Sequence, residues 1–314
     1  MIKKLEGLQW KPMWVSHLGC IKGCLEYLKL SVSDAWLFGG TGHAFIISMY
    51  KTLCPSGPTS WSTEKFLKLG CNLGYFIEGV WGWKGEKDFA LKQKIAWDNT
   101  KRAIDRGIPC YGWELEIPEF SMVYGYDESG YFYSGVKDGL RPWQELGNTK
   151  IGILEMHYVE TCNVTDDLGT VKEAFEFVLE HARSPRGWLP SGYKTGLCGF
   201  DIWINALEKG SVNAFGMAYN SAVWSECRHF AVEFLKEAKM KIGGKYNVLL
   251  EEAIKHYEDI AYHLNSVSAL FPLPPKSEEI QDAKGCDMAV KHLRKVRKSE
   301  EAGLAILEKI VVIS

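Results

Sequence analysis

The sequence predicts an α+β protein in which a domain built on an antiparallel sheet is followed by an all-α helical domain. Three observations carry this. The first half mixes apolar residues at helical spacing with runs that alternate as strands do, and residues 120–133 read as two strands around a turn. Beyond Thr161 the apolar spacing is almost wholly helical. At 314 residues the chain has length for two cores, and that change of character puts the expected boundary between residues 1–164 and residues 165–314.

The elements follow in order. Ser16 and Gly19 lead into Ile21, Cys24, Leu25 and Leu28, so a helix begins near Ser16 to Gly19. The glycine-rich stretch from Phe38 to Phe45 reads as a loop. Residues 88–106 read as a helix ended by Gly107, and Ile108 to Trp113 as a strand. Phe120, Met122 and Tyr124 alternate with smaller residues, Asp127 to Gly130 supplies a turn, and Tyr131 to Tyr133 continues the hairpin. Ile151 to Val159 is a further strand.

In the second half, Val171 to Ala182 places Ala174, Phe175, Val178 and Leu179 on one helical face. A loop over residues 184–195 precedes helices over residues 195–208, 220–239 and 248–271, the last stopped by the prolines from Pro272 to Pro275. Ser277 to Ile310 completes the bundle as one helix or a pair. Arg228 is expected to pair with a carboxylate for structure.

Composition narrows the function. With 37 basic and 39 acidic residues the net charge is −2, so no global field attracts nucleic acid or an anionic membrane. The basic run from Lys291 to Lys298 reads as a solvated helix face, because Glu300 and Glu301 follow it. The opening residues lack the apolar run of a signal peptide and no stretch reaches membrane-spanning length, so the expected location is cytoplasmic. Nine scattered cysteines fit reduced thiols, and eight histidines without CxxC or HExxH spacing indicate no metal and no cofactor. Among twelve tryptophans, Trp81 in Trp81-Gly82-Trp83 is a candidate stacking surface, with packing as the ordinary use.

Two stretches carry a resemblance: Trp14 to Phe45, with Ser33-Asp34 and Phe38-Gly39-Gly40-Thr41-Gly42-His43-Ala44-Phe45, and Pro118 to Gly130, with Gly125-Tyr126-Asp127. Together they resemble the bacteriocin-leader peptidase-like branch of the papain superfamily, closest to the butirosin H-type N-terminal domain family. That resemblance implies a papain-like first domain with a helical domain after it. It also implies a Cys at the start of the first helix, where this chain has Ser16, and a His ahead of the Gly-Tyr-Asp turn, where it has Glu119. The third, acidic position falls on Ser134 and Gly135.

With the triad exchanged, the expectation is a repurposed domain. It binds a peptide or a small amide- or acyl-bearing ligand in a cleft between the two halves, without proteolysis. Ser16, Cys20, His43 and Glu119 wall the cleft, and Gly40, Gly42, Trp81 and Asp127 are candidate ligand contacts. The alternative is a thiol-dependent acyltransferase or amide hydrolase with Cys20 as nucleophile and His17 or His43 as base. Against it stands the reading of Cys20 and Cys24 as small buried hydrophobes. A third reading places function on the helical half as an interaction scaffold, and assembly into a homo-oligomer stays open.

Overall fold

The computed structural model describes residues 2–183, 189–210, 212–275, 277–280 and 282–313, so part of the loop expected over 184–195 lies outside the described residues. In chain order the first elements are β1 (Lys3–Lys4), α1 (Ser16–Tyr27), α2 (Asp34–Gly40), β2 (Ser48–Tyr50), α3 (Glu64–Leu69) and β3 (Tyr75–Trp83). Next come α4 (Phe89–Asp105), β4 (Cys110–Trp113), β5 (Phe120–Tyr126), β6 (Gly130–Ser134), β7 (Gly139–Pro142) and β8 (Ile153–Thr161). The remainder is α5 (Asp167–Ala182), β9 (Tyr193–Thr195), α6 (Gly196–Lys209), α7 (Ala214–Ile242), α8 (Asn247–Leu270) and α9 (Ala283–Val312).

The protein is α+β, and it divides into two compact units: Met1–Ser33 with Gly70–Val164, and Asp34–Leu69 with Thr165–Ser314. The sequence predicts one boundary, between residues 164 and 165. The first unit is interrupted, however, because residues 34–69 group with the helices. Local spacing gives no hint of this, since it follows from which apolar faces α2 and α3 bury and not from their own periodicity.

The first unit is a seven-stranded antiparallel sheet in the order β3-β8-β4-β5-β6-β7, with β1 added to β5. Directly paired residues share a face, so Gly79, His157, Tyr111 and Met122 form one row across four strands. Helix α1 packs on that face through Cys24, whose Sγ lies 3.8 Å from Met122 Sδ. Helix α4 packs on the other face, where a side chain at Gly82 would strike Lys92. The hairpin is β5 and β6, with an irregularity in register between Val123 and Gly125.

The second unit packs α8 against α7 and α9, and α2 against α7. It also holds one short ladder that helical periodicity did not predict, Ser48–Tyr50 on Tyr193–Thr195. The glycine-rich stretch expected as a loop is helical through Gly40. At Gly39 a Cβ would collide with the Phe234 ring, so glycine lets α2 approach α7 closely. Arg228 pairs with Glu300 as expected of a structural arginine, which removes Glu300 from the solvated face assigned to the basic run: its side chain is 1% exposed.

Candidate functional site

The site is built in the first unit from the start of α1 upward. Gly19 and Gly23 recur one turn apart, and a Cβ at either would collide with the carbonyl oxygen of Lys11 or Gln9, so the N-terminal segment lies directly on that glycine face. The facing side of the helix carries Cys20 and Cys24, both buried against the sheet. This clamps the first turn of α1 between segment and sheet, and buries Ser16 and His17 with it.

Ser16 does not cap its helix; Val15 stands at the N-cap with no side-chain cap bond. Instead Ser16 Oγ donates to Glu119 Oε2 at 2.5 Å and accepts from the Phe120 amide at 3.1 Å. Glu119 is brought there by the tight connection from β4 to β5, in which the Glu114 amide donates to the Glu119 carbonyl at 3.0 Å. The two residues that the resemblance sets at the nucleophile and base positions, 103 apart in sequence, therefore meet.

Beside them His17 stacks on Phe120 with ring centroids 4.0 Å apart, and its Nε2 lies 2.9 Å from the Tyr111 hydroxyl. Burial first, and then nearby Cys24 and Glu155, hold the Tyr111 phenol far above its ordinary range, so it stays protonated. The Tyr111 ring is 5.0 Å from that of His157, and His157 Nε2 lies 3.5 Å from Glu155 Oε1 without hydrogen-bond alignment. Opposite His157 on the edge strand stands Gly79, where a Cβ would collide with the imidazole.

Tyr111, His157 and Glu155 were not anticipated. Glu155 and His157 are two apart on a strand and so share a face, a spacing visible in the sequence. Their partner strands were not.

Cys20 does not have the setting of a nucleophile. Its thiol is fully buried, and burial first and the Glu119 charge second push its pKa well above the ordinary range, the reverse of thiolate activation. Among the described residues no imidazole nitrogen hydrogen-bonds Cys20, and His17 Nε2 is directed to Tyr111. His43 belongs to the second unit, buried with its Nδ1 3.5 Å from Cys227 Sγ. These are the contacts made by the two histidines expected as bases for Cys20.

The candidate ligand contacts divide. Gly40 closes α2 and is buried, and Gly42, with φ +74°, would drive a Cβ to 2.5 Å from Phe177 Cδ1, so both serve helix packing in the second unit. Asp127 caps the hairpin turn, accepting from the Ser129 amide at 2.8 Å, the Ser129 hydroxyl at 2.6 Å and the Gly130 amide at 3.2 Å. Those bonds, the Ser129 hydroxyl first, lower its carboxyl pKa. Trp81 remains: it is 49% exposed, pairs with Glu155 across β3 and β8, and meets Trp83 edge to face at 5.6 Å.

Among the described residues no group of three or more His, Cys, Asp or Glu side chains is placed to hold a metal ion, and no helix is long and apolar enough to cross a membrane. Neither a family model nor a curated protein matches the sequence.

Proposed function

We propose that the first unit is a repurposed papain-like domain that binds a peptide or small amide- or acyl-bearing ligand at the start of α1 and leaves it intact. The observation that carries this is the 2.5 Å hydrogen bond from Ser16 to Glu119. A thiol–imidazole pair works because imidazole accepts a proton near neutral pH and leaves a thiolate. A carboxylate is a far weaker base toward an alkanol than an imidazole is toward a thiol.

Ser16 Oγ also spends acceptor capacity on the Phe120 amide, and the nearest thiol, Cys20, is held neutral. What Glu119 does supply is a half-buried carboxylate beside Ser16, the kind of group that the N–H of an amide or peptide ligand recognises. Trp81, on the edge strand and paired with Glu155, supplies an exposed apolar surface.

The test uses the full chain with two acyl donors, p-nitrophenyl acetate and an N-acetylcysteamine thioester, and with a panel of N-acetyl dipeptide amides. Release rates are expected to be equal for the native protein, Ser16→Ala and Cys20→Ala, with no acyl adduct by mass spectrometry. A dipeptide amide is expected to shift the Phe120 and His17 amide resonances, and Glu119→Ala to abolish the shift. An acyl group on Ser16 or Cys20 would overturn the non-hydrolytic reading, and silence of those resonances across the panel would overturn the binding reading.

A further inference from the structure

Two thiols stand together at the border of the first unit. Cys71 lies in the short turn Gly70–Leu73 that leads into β3, and Cys162 directly follows β8. The backbone fixes their proximity: Tyr75 pairs with Thr161, the Cys162 amide donates to the Gly74 carbonyl at 2.9 Å, and the Gly74 amide donates to the Cys71 carbonyl at 3.1 Å. Cys162 Sγ is itself 3.7 Å from the Cys71 carbonyl oxygen. Cys71 is exposed and Cys162 half-buried, whereas Cys20, Cys24, Cys110 and Cys227 are buried.

We propose that Cys71 and Cys162 are a modification site, a dithiol that low-molecular-weight disulfides such as oxidised glutathione convert to an intramolecular disulfide. The exposed Cys71 thiolate attacks one sulfur of the oxidant, forming a Cys71 mixed disulfide and expelling one glutathione thiolate. Cys162, having lost its proton to solvent, then attacks the Cys71 sulfur. The protein disulfide forms, the mixed disulfide breaks, and the second glutathione leaves. Two protein thiols are oxidised and one small disulfide is reduced to two thiols.

The order of attack follows from the surroundings. Partial burial and then the neighbouring Cys71 thiol hold the Cys162 pKa up, so Cys162 is the poorer first nucleophile. Once Cys71 is capped it no longer carries charge, and its share of that upward push disappears. Capping the first thiol therefore readies the second.

The bridge ties the segment at which the chain re-enters the first unit, at Gly70, to the segment from which it leaves, at Val164. Strands β3 to β8 and helix α4 become one closed loop. Such a loop lowers the entropy of the unfolded chain, so oxidation strengthens the sheet against denaturation without changing its native contacts.

The experiment exposes the reduced full chain to oxidised glutathione in mildly alkaline buffer, blocks remaining thiols with N-ethylmaleimide and maps the peptides. The expected product is a cross-linked Cys71–Cys162 peptide pair lighter by two hydrogens, while the exposed Cys198 carries only a glutathione adduct. Cys71→Ser is expected to leave glutathione on Cys162 and no cross-link. The oxidised native chain melts above its reduced form, and Cys71→Ser shows no such rise. Stable glutathione adducts on Cys71 and Cys162 without a cross-link, or a cross-link to any other cysteine in their place, would overturn the proposal.

Discussion

His43 Nδ1 and Cys227 Sγ lie 3.5 Å apart in the core of the second unit, 184 residues apart in sequence, with the rings of Trp61, Phe66 and Trp224 between 5.7 and 6.5 Å from the imidazole. Burial drives the His43 pKa down to about 3, and burial, with His43 and Arg228 nearby, does the same to His181. Both stay neutral when folded and take up a proton near 6.5 when unfolded. Above pH 6.5 neither state binds the proton and nothing changes; below it only the unfolded chain does, so stability falls until about pH 3. Each histidine costs up to about 1.4 kcal/mol per pH unit in that window. The urea midpoint should drop between pH 7 and pH 5, roughly half as steeply in His181→Gln. A flat profile would contradict the assignment.

The same core holds Arg228 against Glu300, with Nε to Oε2 at 3.0 Å and Nη2 to Oε1 at 2.8 Å. The Nη1 group donates to the carbonyls of Ala44 and Ile46, fastening the segment after α2 to α7. Glu300→Ala strands a buried guanidinium and should cost about 3–5 kcal/mol in a guanidinium chloride titration. A loss below about 1 kcal/mol would mean that water reaches the pair.

Alkylation separates the thiols by access. Iodoacetamide should label Cys71 and Cys198 rapidly, and leave Cys20, Cys24, Cys110 and Cys227 unmodified until the chain unfolds, because the thiolate reacts and burial suppresses it. Peptide mapping against time reads the order. Selective early labelling of Cys20 would restore it as a nucleophile.

Gly39→Ala sets a methyl group into the Phe234 ring, where α2 crosses α7. Overpacking of this kind should cost about 1–3 kcal/mol by thermal melt, and Phe234→Leu in the same chain should recover part of it. Equal melting of Gly39→Ala and the native protein would show that the two helices separate without penalty.

The sequence by itself determined the α+β class, a helix beginning near Ser16 to Gly19, the hairpin around Asp127 to Gly130 and the run of C-terminal helices. Each rests on spacing within a dozen or so residues, which local backbone preference and burial of one face suffice to express. The resemblance sets Ser16 and Glu119 at the nucleophile and base positions only as an expectation, and their hydrogen bond belongs to the tertiary structure. Only the tertiary structure decided that residues 34–69 join the helices, that Gly40, Gly42 and His43 pack a core, and that Cys20 is sealed and neutral. It alone set Tyr111, His157 and Glu155 beside His17. Those outcomes depend on which distant strand or helix covers a residue, and so on desolvation and cross-strand pairing that no local window of sequence contains.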